Sequence, residues 1–240
     1  MTTVSTSAAL PVAEAVRVRD TRTFRRVGAA LLLPIGPLAI AIVRLILPYF
    51  TTDNSSTVLR KITADPGRQT AVLWISFVLV FTMVPSILAA GRVLIRRAPV
   101  LTTIAWVLLV PGFIALLFSE GDPTYRVLVG IDPATGTKII DSLNKLAPNA
   151  VADNFFALAH IVGIILLGVA AMRTKAVPTI VGWLLIVSQP LHLTFTLFVP
   201  NHALDCAAWL LTTIGFAFLA RTALRTSNDD WDLPPVAQTY

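Results

Sequence analysis

Three ionisable side chains interrupt long apolar stretches of this sequence: Arg44, His160 and His192. Such groups are costly in hydrocarbon and normally face protein rather than lipid. Counted along a helix, each lies roughly 6–9 Å from the same end of its apolar stretch. The last apolar stretch begins at that end with polar residues. The spacing therefore predicts a ligand-binding polar cluster at one depth, made of Arg44, His160, Gln189, His192, His202 and Asp205.

The sequence leaves four interpretations of this cluster open. It forms hydrogen bonds that fix helix packing, with Arg44 extending to the lipid headgroups, or it lines a pocket for a small molecule or lipid. Zinc accepts imidazole and carboxylate ligands, so a metal site would use His160, His192 and either His202 or Asp205. Two histidines on adjacent antiparallel helices could instead be the axial ligands of one haem. The residue types do not specify catalytic residues.

Six apolar stretches carry these side chains. Apolar residues make up 55% of the 240-residue chain and charged residues 13%, whereas soluble domains carry about 25% charged residues. Each stretch is near the ~20 residues that cross a bilayer core of ~30 Å. Backbone groups in hydrocarbon must be hydrogen-bonded internally, which requires helices. The sequence therefore predicts an all-α polytopic membrane protein, a six-helix bundle with spans at about 27–50, 71–91, 99–118, 154–172, 176–199 and 203–221.

Lys and Arg residues are distributed unevenly between the two ends of these spans. Twelve lie at one end, namely Arg17, Arg19, Arg22, Arg25, Arg26, Arg92, Arg96, Arg97, Arg173, Lys175, Arg221 and Arg225. Six lie at the other, namely Arg60, Lys61, Arg68, Arg126, Lys138 and Lys145. The positive-inside rule then places both termini in the cytoplasm and the chain in a bacterial plasma membrane. The net charge of +6 reflects this bias, so the predicted partner is the bilayer and not nucleic acid.

The segments outside the spans complete the predicted organisation. Residues 1–26 form a mobile cytoplasmic tail, and residues 222–240 form a cytoplasmic C-terminal tail without regular structure. The outer connection, residues 119–153, forms a lid or a substrate surface, with a short strand at 126–131 and an interfacial helix at 137–146. Asp153 and Asn154 are suited to cap the fourth span. Acid–base candidates beside the pocket are Glu120, Asp122 and Asp153.

Several short segments resemble a family of bacterial, including actinobacterial, six-helix integral membrane proteins. They are Val58-Leu59, Asp65 to Arg68, Arg96 to Pro99, His160 to Gly163, Leu167-Gly168, Arg173, Pro178 and Gly182 to Leu185. The resemblance extends over about residues 60–222. It implies the six-helix architecture, and the family has no assigned activity. The Glu-x3-His and paired-histidine motifs of membrane zinc hydrolases are missing from the sequence.

Together these features predict a multi-pass plasma-membrane protein whose outer polar cavity binds a lipid-like or small apolar ligand. The alternative is a membrane enzyme or redox anchor that holds haem or zinc through His160 and His192. A transporter is less favoured for a monomer, because the span interiors offer no carboxylate for ion coupling. A homo-oligomer is compatible with the sequence. Cys206 is the single cysteine, so an intrachain disulfide is excluded.

Overall fold

The computed structural model describes residues 19–119 and 121–234, which form helices and no strands. Eleven α-helices are present in this part of the chain, with one π-helical turn at Thr194–Phe198. The α-helices are α1 Arg22–Leu32, α2 Ile35–Ile46, α3 Ser55–Ala64, α4 Pro66–Leu94, α5 Pro99–Ser119, α6 Asp122–Val127, α7 Pro133–Lys145, α8 Ala147–Thr174, α9 Thr179–Leu193, α10 His202–Arg225 and α11 Asn228–Trp231.

Six helical segments are long and apolar enough to cross a membrane, which confirms the predicted all-α six-helix bundle. The spans are α1 with α2, α4, α5, α8, α9 with the π-helical turn, and α10. They pack as a closed ring in chain order, since each contacts the next and α10 returns to contact α2. We call the two ends of the ring the lid end, where α3, α6 and α7 lie, and the arginine end, where α1 begins and α11 lies.

The first span is broken between α1 and α2. Pro34 and Pro37 lack backbone N–H groups, so carbonyls of the preceding turn lose their helical partners. Ser86 of α4 lies against the break, and its hydroxyl is 2.7 Å from the carbonyl oxygen of Leu32 and 2.6 Å from that of Thr82, to one of which it donates. After the break, α2 packs against α4 and α10. It thereby positions Arg44, near the end of α2, against the start of α10.

Small residues allow the spans to approach closely. A Cβ atom at Gly182 of α9 would lie 2.7 Å from the carbonyl oxygen of Gly168 in α8, and one at Gly168 would lie 2.8 Å from the carbonyl oxygen of Gly182. Between α5 and α8, a Cβ atom at Gly112 would lie 2.8 Å from the Cβ of Ala159. Membrane helices pack by such close contacts because burial from lipid supplies no hydrophobic driving force. These contacts fix α8, which carries His160.

The lid end differs from the sequence-based prediction in two respects. The strand predicted at 126–131 is wrong, because α6 covers Asp122–Val127 and a turn follows it. The capping role predicted for Asp153 and Asn154 is also wrong, because α8 begins at Ala147. With 28 residues, α8 is about 42 Å long by helical rise and projects beyond the bilayer core of ~30 Å. Helix α7 packs against α8, and α3 and α6 pack on each other and on α4, so that the three helices form the lid.

A small apolar core holds the lid together. Leu59 of α3, Leu128 after α6 and Ile140 of α7 are buried against one another, and Tyr125 packs on them. The hydroxyl of Ser55 donates to Asp141 at 2.5 Å and joins α3 to α7. The guanidinium of Arg68 donates to the carbonyl of Ile46 at 2.6 Å, which satisfies the end of α2. The lid itself contacts the ring through α4 and α8.

The arginine end is closed by the C-terminal segment, which the sequence predicted to be irregular. Instead, α11 buries Trp231 in the main core. Its acidic residues pair with the arginines of three other segments, in the pairs Arg22–Asp229, Arg25–Asp232, Arg92–Asp232 and Arg96–Asp230. Of the predicted N-terminal tail, residues 22–26 belong to α1, and residues 1–18 lie outside the described part of the chain.

The Gly168–Gly182 contact generates a prediction about packing. In Gly182→Ala the new Cβ meets the side chain of Met172 at 2.2 Å, which can rotate away, and the carbonyl oxygen of Gly168 at 2.7 Å, which cannot, so the two backbones are forced apart. We expect a loss of about 1–3 kcal/mol in the free energy of unfolding. Gly28→Ala is the matched control, since nothing lies within 4 Å of a Cβ there, and should stabilise α1 slightly. Thermal unfolding of both variants in the same detergent checks this, and equal midpoints would contradict it.

Candidate functional site

Four spans bring polar side chains together near the lid end. Arg44 comes from α2, His160 from α8, His192 from α9 and Asp205 from the first turn of α10. Asn201 caps α10, accepting a hydrogen bond from the backbone N–H of Leu204 at 3.0 Å. A helix N-terminus stabilises a carboxylate, so the start of α10 suits Asp205.

Asp205 is the centre of this cluster. Its side chain is 1% exposed. Its Oδ1 lies 2.5 Å from Nδ1 of His192. Its Oδ2 accepts from Nε of Arg44 and, at 3.0 Å, from the hydroxyl of Thr196. One carboxylate thus joins α2, α9, the π-helical turn and α10.

The contacts of His192 define its protonation. The indole N–H of Trp209 lies 3.1 Å from the same Nδ1 that approaches Asp205. A nitrogen that donates its proton to a carboxylate cannot also accept one, so these two hydrogen bonds are alternatives. The shorter contact, to a carboxylate that also holds Arg44, assigns the proton to Nδ1. In the neutral ring, Nε2 is then an acceptor, and an oriented imidazole of this kind can act as a base.

His160 contributes the second imidazole. Its Nδ1 lies 2.8 Å from the carbonyl oxygen of Phe156, which can only accept, so Nδ1 carries the proton. The residue is 3% exposed, and its Nε2 is buried without a hydrogen-bond partner in the described part of the chain. The ring stacks on Phe156 at 4.4 Å and lies 5.4 Å from the ring of His192. Two imidazoles therefore meet, each with Nε2 as its remaining acceptor.

A cavity of about 550 Å³ separates this cluster from the lid. His160, His192 and Trp209 line its floor, and Tyr125, Ile140 and Asn144 of the lid segment line its roof. Apolar side chains complete the wall, among them Leu79, Leu116 and Ile161. Its volume is within the range of about 300–1,000 Å³ for small-molecule sites.

Two carboxylates on the lid side also line the cavity. Asp122 is buried and accepts hydrogen bonds from the hydroxyl of Tyr49 and, at 2.8 Å, from the side-chain amide of Gln69. Asp53 pairs with Lys61 at 2.6 Å. Burial raises the pKa of Asp53, but the ammonium of Lys61 and the backbone N–H of Phe50 outweigh burial and bring this pKa below its usual value.

The structure brings together four of the six residues that the sequence proposed, namely Arg44, His160, His192 and Asp205. Gln189 lies outside this group, in a buried network with Ser188 and Thr212. His202 does not join the side-chain cluster, because its ring stacks on Phe50 at 4.3 Å and, among the described residues, bonds only the backbone of Arg44. Arg44 turns inward to Asp205 and does not extend to the headgroups.

Three contributors were not among the proposed residues, namely Thr196, Trp209 and Tyr49. Thr196 and Trp209 each follow a cluster residue by four positions, His192 and Asp205 respectively, and this spacing shares a helix face. That spacing was the available signal for both of them. Asp122 had been singled out only as an acid–base candidate, and Glu120 lies outside the described residues.

The metal and haem interpretations can be compared with this geometry. Among the described residues, no three His, Cys, Asp or Glu side chains are grouped to hold a metal ion. The rings of His160 and His192 are in mutual contact, and His160 also stacks near Trp209 at 6.0 Å. A porphyrin between the two imidazoles would have to separate them and unstack His160.

Comparison with known proteins supplies no further assignment. No family model, no curated protein and no solved structure matches the chain. The site is therefore interpreted from its own geometry.

The central carboxylate generates a second prediction. Asp205→Asn leaves Arg44 without its counter-charge in a site of low polarity, and we expect a loss of about 3–5 kcal/mol in the free energy of unfolding. The double variant Arg44→Met/Asp205→Asn should lose less than the sum of the single losses, because each single change exposes an unpaired group. Unfolding of all three variants in one detergent measures this coupling.

Arg68→Met provides the matched control for that cycle. Arg68 is an exposed arginine at the lid end that donates to backbone carbonyls rather than to Asp205. The loss in free energy of unfolding caused by Arg68→Met should add to the loss caused by Asp205→Asn, without coupling between them. Additive losses for Arg44 and Asp205 would mean that their contact does not stabilise the protein.

Proposed function

We propose that this chain is a bacterial inner-membrane protein that binds an amphipathic small molecule in the cavity between the lid and the histidine pair. The observation that carries the proposal is a cavity of about 550 Å³ lined by His160, a residue whose buried Nε2 has no hydrogen-bond partner among the described residues. In a polar cluster that only fixes helix packing, each polar side chain would find its hydrogen-bond partners within the cluster. In the Arg44–Asp205–His192 group each side chain has a partner within the group, whereas His160 bonds only a backbone carbonyl and its Nε2 has no partner among the described residues.

The energetics favour a ligand at this position. A buried polar atom without a partner costs about 1–3 kcal/mol, and native proteins keep few of them. A ligand group that donates to His160 recovers part of this energy. The apolar wall around Leu79, Leu116 and Ile161 accommodates the remainder of the molecule. The site therefore suits a molecule with one polar end and one apolar end.

We further infer that both termini are cytoplasmic and that the lid faces outward, since Lys and Arg are concentrated at the arginine end. The ligand then enters from the outer leaflet or the space beyond it. The resemblance to bacterial six-helix membrane proteins implies the same architecture and adds no ligand.

Cysteine labelling tests this orientation. In a Cys206→Ser background, Ser142→Cys places a thiol on an exposed position of α7 and Thr179→Cys places one at the exposed start of α9. We expect a membrane-impermeant maleimide to label Ser142→Cys in intact spheroplasts, and Thr179→Cys only after permeabilisation. The unchanged chain is the control, because Cys206 is buried. The opposite labelling pattern would reverse the orientation.

Filling the cavity tests the proposed binding. Ala157 of α8 lines the cavity, and Ala157→Trp would occupy part of its volume. Octan-1-ol, used as a simple amphiphile, should raise the thermal midpoint of the unchanged protein by roughly 5–10 °C at one hundred times its Kd. We expect this shift to disappear in Ala157→Trp.

Ala71→Trp is the matched control for the filled cavity. Ala71 is an exposed alanine of α4 near the lid end and does not line the cavity. It should keep the full octan-1-ol shift, which separates cavity binding from general effects of an alcohol on the micelle. Equal shifts in the three proteins, or none in the unchanged protein, would argue against a ligand site here.

A further inference from the structure

The polar floor of the cavity offers hydrogen-bond acceptors. Nδ1 of His160 donates to Phe156, and Nδ1 of His192 donates to Asp205, so Nε2 is the nitrogen of each ring that remains as an acceptor in the neutral form. The carboxylate of Asp122 on the lid side is an acceptor as well. A ligand that satisfies these groups must bring hydrogen-bond donors.

The charges around the cavity are predominantly negative. Four charged side chains line it, namely Arg44, Asp53, Asp122 and Asp153. The positive charge of Arg44 is balanced by Asp205, and that of Lys61 balances Asp53. Within the described residues, Asp122 and Asp153 have no cationic partner. The cavity thus repels an anionic head group and attracts a cationic one.

Aromatic rings provide a third feature. Tyr49, Tyr125, Phe156 and Trp209 line the cavity, with the two tyrosines in edge contact at 6.1 Å. The faces of aromatic rings attract ammonium groups, most strongly where water is excluded. Phe50 also lines the cavity, and there the ammonium of Lys61 already lies over the ring at 4.7 Å.

We propose that the ligand is a protonated amine with an apolar tail. Its N–H groups donate to Nε2 of His160 and of His192, its charge is balanced by the carboxylates of the cavity, and its tail lies along the apolar wall. Asp205 holds the His192 ring so that Nε2 is available to the amine. The inference depends on the proposed function and adds the chemistry of the head group.

A series of probes with one tail and four head groups tests this assignment. Octylammonium carries a charge and N–H donors, octyltrimethylammonium carries the charge alone, octan-1-ol carries a neutral donor and octanoate carries a negative charge. Titration calorimetry in one detergent, corrected for empty micelles, gives each Kd. We expect octylammonium to bind about tenfold or more tightly than octyltrimethylammonium or octan-1-ol, because hydrogen bonds to charged groups are strong. Octanoate should bind weakest of the four.

Two histidine variants locate the contact. His160→Phe keeps a ring stacked between Phe156 and Trp209 and removes Nε2, so octylammonium should bind about tenfold more weakly. His202→Phe is the matched control, because His202 stacks on Phe50 and does not line the cavity. It should leave the Kd of octylammonium unchanged.

The outcomes separate the two proposals. If no probe binds saturably, or if binding survives Ala157→Trp, the cavity is not a ligand site and the proposed function fails. If probes bind in the cavity but octyltrimethylammonium, octan-1-ol or octanoate matches octylammonium, only the amine assignment fails. An unchanged preference in His160→Phe also overturns it. Should His160→Phe not fold, the four probes on the unchanged protein decide.

Discussion

The buried carboxylate of Asp205 is the interaction on which the lid end of this protein depends. One of its oxygens binds Arg44 of α2, and the other binds His192 of α9. Because Asp205 belongs to α10, these contacts connect α10 to both α2 and α9 and close the ring. A buried charge is tolerated only when it is paired and hydrogen-bonded. The break at Pro34 and the π-helical turn bring the partners of Asp205 within reach. Both irregularities lie in the spans that contact α10.

Placing Asp205 at the centre also explains why the two histidines differ. His192 is fixed by a charge, and its hydrogen bonds are made within the protein. His160 is fixed by stacking on Phe156 and by a backbone carbonyl, so its second nitrogen is oriented but has no partner. An oriented acceptor at the edge of a cavity is preorganised for a ligand, because no side-chain entropy remains to be lost on binding.

The sequence predicted the spans and the depth of the polar residues, because apolar run length and helical rise determine both. It placed Arg44, His160, His192 and Asp205 at one level, and the structure groups them. It could not predict how each helix rotates about its axis. Gln189 and His202 have suitable depths, but their side chains meet Thr212 and Phe50 instead of the cluster.

The lid was harder to predict, because short segments depend on their partners. Residues 126–131 have a strand-like pattern, yet α6 ends at Val127. Leu128, which follows it, is buried with Leu59 and Ile140, and that packing outweighs local preference. The two ends of the ring differ in how they are closed. Trp231 and the α11 ion pairs fill the arginine end, whereas α3, α6 and α7 cover the lid end without filling it. Because the lid helices pack mainly on one another and on the start of α4, they enclose the cavity without occupying it. The cavity floor consists of side chains that the ring fixes, so a ligand meets a rigid polar floor beneath an independently packed roof.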